Sequence, residues 1–484
     1  MFQRLFWKYY VGAVFGAMGK TCMSDEISDL GRKLRTVVGD NHLLQDADLT
    51  AGYSTDWTGR FQGHTPLVVR PANTFELAQV VILVAEAGLA IVPQGGNTGL
   101  VGGSVPLNGE IVVSTVRLDQ CEAVDQLAQQ VTLGAGVTLV QAQNHVASSS
   151  LVIGVDLAAR DSCTIGGMIA TNAGGINVLR YGAMREQVLG IEAVLADGSV
   201  ISHLEGLEKD NTGYHLPSLL AGSEGTLAII TRARLRLHPY LPVRCTAMLA
   251  FSSVEDAVAA TSALKRSVPS LHAVEVLFSD AMHLVSEHIG SAVPIGEKSA
   301  AWLIVEAAGS NDPLEELAGA IDDLGALVVD VGVGVDTSSR NNLWQYREKV
   351  TEAISAKGTP HKLDVTLGAS KLAEFISQLP SVVSALDGDS SVYMFGHLGD
   401  GNVHVNVLAN NGGAPSERVD AAVLEYVAKL GGSISAEHGI GTAKKNFLHL
   451  NRKTAEISAF RSIKHALDPH HVLNPHVLLP QEDS

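Results

Sequence analysis

The sequence predicts an α+β protein of more than one domain, on three observations. The chain has 484 residues, more than one ordinary hydrophobic core accommodates. From Thr65 to Pro239, short β-branched runs are separated by glycine turns. After Pro239 the punctuation lengthens, and strand and helix patterns alternate in a way that suits a sheet carrying helices on one face.

In chain order, the first 22 residues hold Arg4, Lys8 and Lys20, no acid, and an apolar run from Tyr9 to Met18. That run is too short to span a bilayer. Residues 1–22 read as an extension or targeting segment, with Met23 as the favoured start. Gly19-Lys20-Thr21 resembles the end of a P-loop, but Val14 stands where that motif needs Gly, so no nucleotide site is expected there.

A helix over Thr74–Glu86 precedes a strand over Ala90–Pro93, and a further apolar strand is expected over Thr226–Thr231. Beyond Pro239 the candidates are Ala247–Phe251, Val254–Lys265, Ala273–Leu277, Ala301–Glu306, Pro313–Leu324 and Ala326–Val331, then a long helix over Asn341–Ala356. Helices around Ser416–Leu430 and Thr454–Leu467 complete the chain. The expected domains are 23–241, 242–435 and a C-terminal segment, 436–484, and the resemblance set out below implies that this segment returns to the first domain.

Hydrophobic residues make up 46% of the chain and charged residues 18%, as in a well-buried globular protein. The formal charge of -17 has no Lys/Arg block to offset it, which argues against a nucleic-acid partner. Cys22, Cys121, Cys163 and Cys245 form no CxxC or zinc-ribbon spacing. An iron–sulfur domain is therefore not expected, and a reducing compartment is the default.

The 48 glycines exceed an average usage of about 7% and concentrate in loops. Pro93-Gln-Gly-Gly-Asn-Thr-Gly-Leu-Val-Gly-Gly-Ser104 follows a strand and exposes many unhindered amides, which suits a pyrophosphate. A second cluster spans Gly166–Gly175, and a third, Gly222-Ser-Glu-Gly225, leads into a strand. None is the GxGxxG fingerprint of a βαβ unit, which lowers the expectation of NAD. Glycines that merely permit tight turns explain one cluster as well as a ligand does, but three clusters in one domain favour a large phosphate-bearing cofactor.

Phe395-Gly-His-Leu-Gly-Asp-Gly-Asn-Val-His-Val-Asn406 carries the strongest hairpin signal, Asp400-Gly401 flanked by apolar residues. With those two residues as the loop, Leu398 pairs with Val403 and His397 falls directly opposite His404. Side chains so opposed are roughly 4.5–5.5 Å apart at Cβ, close enough for two imidazoles to share zinc, manganese or iron. Glu437-His438 supplies a third ligand and an imidazole free for proton transfer. His470 and His471 read as a solvated turn. Arg347 and Thr351 share a helix face at i and i+4 and together could grip a carboxylate, and Lys362 opens an apolar strand. Taken alone, those residues read more readily as surface charges.

The resemblance to known families rests on the loop Pro93–Ser104, Asp156-Leu157 through Gly166–Gly175 with Arg180-Tyr-Gly182, Lys209-Asp-Asn-Thr-Gly-Tyr214 and Gly222–Thr231. These resemble the FAD-binding domain of the vanillyl-alcohol oxidase/p-cresol methylhydroxylase (PCMH) type. The hairpin, Glu437-His-Gly-Ile-Gly441, Asp468-Pro and Leu473-Asn-Pro475 resemble the D-2-hydroxy-acid dehydrogenases, the D-2-hydroxyglutarate dehydrogenases most closely, with D-lactate dehydrogenases and glycolate oxidase D-subunits as relatives. The match runs in order from about Thr65 to Pro475. One departure is His476, where the family commonly has Gly; it bears on local backbone geometry.

The resemblance implies a PCMH-type domain with an α/β cap over a non-covalent FAD, since the loop offers no tethering His. Pro93, Gly95, Gly96, Asn97, Thr98, Gly99, Ser104, Asp156, Gly166, Gly167, Thr171, Asn172, Gly174, Gly175, Glu224, Gly225, Ile229 and Asn474 would hold the cofactor. His397, His404 and Glu437 would hold a divalent metal, zinc first. Arg347, Thr351 and Lys362 would bind a distal carboxylate, Asn406 would orient the C1 carboxylate, and His438 would bind substrate and take the hydroxyl proton. The expected reaction oxidises D-2-hydroxyglutarate or D-malate to the 2-oxo acid, with D-lactate or glycolate as the alternative. Electrons would leave to an electron-transfer flavoprotein or a quinone. A homodimer is compatible with the sequence, and the expected location is cytoplasmic, or the mitochondrial matrix in a eukaryote.

Overall fold

The computed structural model describes residues 26–413 and 415–481; the 1–22 extension and its Gly19-Lys20-Thr21 string lie outside the described residues. A four-stranded sheet runs in the order Leu43–Leu44, Val68–Val69, Ile111–Ser114, Ile91–Gln94. Its last three strands are parallel, so a crossover must join Val68–Val69 to Ile91–Gln94. The helix Thr74–Glu86 makes it, capped by Asn73 accepting from the Glu76 N–H, with Leu77, Val80, Val81 and Val84 buried.

A second, antiparallel sheet of five strands is built on Ile229–Pro239. That strand is far longer than the Thr226–Thr231 run expected, because its later half alternates buried Ala233, Leu235 and Leu237 with outward arginines. The two sheets share one core with the intervening helices. The C-terminal segment joins the same core: Leu473 bridges Ile91, Asn474 N–H donates to the Ile91 carbonyl at 2.8 Å, and Val472 and Leu473 are buried there.

The third sheet has seven strands in the order Asp330–Gly334, Val243–Phe251, Ala301–Gly309, Leu271–Phe278, Ser390–His397, Asn402–Ala409, His361–Thr366. Every neighbouring pair is antiparallel, so the strand–helix alternation builds an antiparallel layer. Helices lie on both of its faces, not on one as the alternation suggested. Val254–Ser267, Leu314–Leu324, Ala369–Ser384 and Glu417–Lys429 pack on the odd-numbered residues of Val243–Phe251. Ser279–Ile289 and Thr337–Lys357 pack on the other side, over Met248, Ala250, Trp302 and Ile304. This second pair stops short of His361–Thr366 and Asn402–Ala409, leaving polar residues of those strands facing the first unit. The strand expected over Ala326–Val331 is a 3-10 turn, Gly325–Leu327, followed by Asp330–Gly334. The helices Ser279–Ile289 and Ala369–Ser384 were not anticipated.

Candidate active site

The hairpin forms, but in a different register. Its loop is the four residues 398–401; His397 pairs with Asn402, and His404 pairs with Phe395. Leu398 leaves the ladder because its side chain is buried in the core of the seven-stranded sheet, which forms the cap, while Gly399 N–H donates to the Val274 carbonyl at 3.1 Å. The slip moves each partner by two residues, so His397 and His404 stay on one face as diagonal neighbours. Their Nε2 atoms are 3.3 Å apart.

Glu437 completes the cluster from the C-terminal segment. Its Oε1 lies 3.7 Å from His397 Nε2 and 3.9 Å from His404 Nε2. Two metal–ligand bonds of about 2.1 Å at a tetrahedral angle span about 3.4 Å, so this triangle fits one divalent ion. Glu437 Oε2 is engaged separately, accepting the Gly175 N–H at 2.6 Å. Gly175 has φ +97, and a Cβ there would lie 2.0 Å from the Asp156 carbonyl oxygen, so glycine is required where the first unit meets Glu437. Burial works against ionisation of Glu437, yet His397 outweighs it and holds the carboxyl below its ordinary range. Burial equally opposes the charged form of His397, but Glu275 and Glu437 outweigh it and raise that imidazole. A cation at this point answers the same field.

Asp364, absent from the sequence expectations, organises the rest. It is fully buried, and its Oδ2 accepts the main-chain N–H groups of Ala436, Glu437 and His438 at 3.1, 2.7 and 2.9 Å. Its Oδ1 accepts from Asn402 Nδ2 at 2.7 Å and lies 3.4 Å from His404 Nδ1, off the line of a hydrogen bond. Asp364, His404, Glu437 and His438 form a second possible ligand group, their atoms within 4.8 Å of one another. Because the Asp364 oxygens are already taken, Asp364 is better suited to aiming its neighbours than to ligation. The His438 ring is parallel to that of His404 at 5.8 Å, and burial lowers its basicity. Lys444, also buried, donates to the Asp364 carbonyl at 3.4 Å.

The same sheet face carries the cations. Arg347 Nε donates to Glu275 Oε2 at 2.7 Å, and its guanidinium lies 4.8 Å from the Phe395 ring centroid. Glu275, also unanticipated, accepts from His397 Nδ1 on its other oxygen at 2.7 Å. Thr351 lies one turn further along Thr337–Lys357, and its hydroxyl is uncommitted among the described residues. Lys362 is directly opposite Asn406 in the ladder, its Nζ 4.9 Å from the centroid of Trp57. Asn406 donates to the Tyr393 carbonyl at 3.5 Å. Asp364 and Glu275 each sit between two apolar neighbours on a strand, a period-2 alternation that sets them on the opposite face from those neighbours without marking them as site residues.

On the cofactor side, the loop 93–104 is held by Gln94 Nε2 donating to the Tyr53 and Ser104 carbonyls, and by Ser104 Oγ donating to Asn97 at 2.9 Å. Gly95, Gly96, Gly166 and Gly225 serve close approach within the protein, since an added Cβ would strike Thr164, Ser162, Ala135 and Pro93. Gly99 meets nothing within 4 Å and leaves an open edge on the loop, with Thr98 beside it. Gly167 and Thr171 lie on the helix Ile165–Thr171, where the Thr171 hydroxyl bonds the Gly167 carbonyl. Asn97, Asn172, Glu224 and Asn474 all have positive φ, a concentration of strained backbone in one loop system. Glu224 accepts the N–H groups of Ile440 and Gly441, both at 2.7 Å, and Asn474 donates to the Gly103 and Glu224 carbonyls. These two bind the loops to one another. Ile229 is buried, and Asp156 bridges Gly175. Gly174 lies against Glu437, where an added Cβ would be 2.8 Å from Oε2. His476 needs no left-handed backbone and faces Glu110 at 3.5 Å, so the departure there is tolerated. Surface clefts of about 320 and 770 Å³ include none of the residues expected to hold cofactor, metal or substrate.

Residues 65–203 match the FAD binding domain family and residues 241–478 match the C-terminal domain of FAD linked oxidases. The two matches together make the chain an FAD-linked oxidoreductase. D-2-hydroxyglutarate dehydrogenase of Xanthomonas citri pv. viticola is 37% identical over 443 residues, covering 89% of this chain and 93% of that one. The mitochondrial D-2-hydroxyglutarate dehydrogenase of Danio rerio is 36% identical over 449 residues, covering 90% and 83%. The chain belongs to the D-2-hydroxyglutarate dehydrogenase family. Among solved structures, substrate-bound p-cresol methylhydroxylase shares the fold, with a TM-score of 0.72 at 16% identity over 93% of this chain and 96% of that one.

Proposed function

We propose that this protein oxidises D-2-hydroxyglutarate, or D-malate, to the 2-oxo acid, using FAD and one divalent metal, zinc first. The observation that carries the reading is the triangle of His397, His404 and Glu437 on the sheet face that also bears Lys362 and that Arg347 overlies from the helix Thr337–Lys357. His397, His404 and Glu437 would hold the metal, and the loops 93–104 and 166–175 the cofactor. When bound, FAD accepts the hydride and the metal acidifies the substrate hydroxyl. The protein's own part is placement and proton transfer. Asn406 orients the C1 carboxylate, while Arg347, Thr351 and Lys362 grip the distal one. His438 takes the hydroxyl proton; Asp364, through its main-chain hydrogen bonds, fixes the segment that presents it.

Electrons then pass to an external acceptor, an electron-transfer flavoprotein or a quinone. No helix among the described residues is long and apolar enough to cross a membrane. The location is cytoplasmic, or the mitochondrial matrix in a eukaryote, the second supported by relatives named as mitochondrial. Glu437→Ala tests the site directly. It abolishes turnover without releasing flavin, measured by 2-hydroxy-acid oxidation alongside flavin absorbance and metal content. Normal activity and metal content in that variant would remove the metal from the reading.

A further inference from the structure

Glu275 lies in the strand Leu271–Phe278 between Val274 and Val276, whose side chains enter the cap core, and is itself only 1% exposed. A carboxylate so buried is costly unless both oxygens are occupied. They are, and by donors from two different parts of the site. Oε1 is 2.7 Å from His397 Nδ1, and Oε2 is 2.7 Å from Arg347 Nε.

We propose, building on the metal and dicarboxylate reading above, that Glu275 is a positioning residue serving both ends of the substrate. Toward His397 it accepts the Nδ1 proton, so the Nε2 lone pair is left pointing at His404 and Glu437, where the metal is held. Toward Arg347 it takes Nε–H alone, leaving both terminal amino groups for the distal carboxylate. The Phe395 ring beneath the guanidinium completes the support. One side chain thereby sets the distance between the metal and the cationic end of the pocket, and so favours a 2-hydroxy acid with a second carboxylate.

Glu275→Gln separates this role from plain packing. Both of its partners are donors, and a carboxamide accepts through one atom only. Arginine cannot give up its proton, so the amide oxygen stays with Arg347 and its NH2 faces His397 Nδ1. The histidine is then driven to the Nε2–H tautomer, which cannot ligate. Zinc affinity, measured without substrate by competition against a chelator, falls about 10–100-fold. Saturating zinc restores the ligating tautomer, turns the amide round and pushes its NH2 against Arg347. At saturating zinc, KM therefore rises for D-2-hydroxyglutarate but not for D-lactate, a split that a loss of packing would not produce. Unchanged zinc affinity with an unchanged ratio of the two KM values would overturn the proposal.

If Glu437→Ala loses zinc and Glu275→Gln changes neither zinc affinity nor the KM ratio, only the role of Glu275 falls; if neither variant loses zinc, the metal reading falls with it. Nitrogen-15 NMR of histidine in the zinc-loaded, unsubstituted protein gives a second readout that needs no variant. His397 should carry its proton on Nδ1, and a protonated Nε2 would overturn the inference.

Discussion

Asp364 accepts hydrogen bonds from the main-chain N–H groups of Ala436, Glu437 and His438, so a single carboxylate aims the dipeptide that would supply a ligand and a base. In the proposed reading, Arg347 does the comparable work for substrate choice. Removing one partner of a buried, hydrogen-bonded charge pair costs about 2–5 kcal/mol. Arg347→Ala is therefore expected to raise KM for D-2-hydroxyglutarate by at least about 10-fold, with a much smaller change for D-lactate; steady-state kinetics on both substrates checks this. His397, His404, Glu437 and His438 were legible in the sequence because a turn signal and a Glu-His dipeptide mark them. Asp364 and Glu275 were not, because a carboxylate between apolar neighbours on a strand reads as the solvent side of a half-exposed sheet. Here that side is covered, at Asp364 by the C-terminal segment and at Glu275 by Arg347 and His397.

At the scale of the element, the hairpin shows how a wrong register can leave the right residues together. The Asp-Gly signal located the turn but not its length, because Leu398 is drawn into the cap core and Gly399 bonds to Val274 instead of continuing the ladder. A slip of one residue would have turned His404 into the core; the slip of two did not. The turn still depends on Gly401, which has φ +84 and would place a Cβ 2.6 Å from the Leu367 carbonyl oxygen. Gly401→Ala should destabilise the protein by about 1–2 kcal/mol and weaken metal binding, read by chemical denaturation and by metal content. The helices Ser279–Ile289 and Ala369–Ser384 escaped the sequence reading because it rested on the strand–helix alternation, and that alternation also did not show that the sheet has helices on both faces.

Across the whole molecule, the site exists only because distant parts of the chain close on one another. Glu437 is tied to Gly175, Glu224 to Ile440 and Gly441, and Asn474 to Gly103, so the glycine loops and the C-terminal segment share one polar seam. The order of the glycine clusters, the hairpin and the Glu-His segment was readable in the sequence; the seam was not, since nothing local in Glu224 or Asn474 announces a partner in another part of the chain. The measurement that bears most directly on the whole account is anaerobic mixing of the purified protein with D-2-hydroxyglutarate, D-malate, D-lactate and glycolate, following bleaching of the flavin. The account predicts a yellow protein bleached fastest, and at the lowest concentrations, by the dicarboxylic acids. A colourless protein, no bleaching by any of the four, or equal bleaching by lactate and glycolate would contradict it.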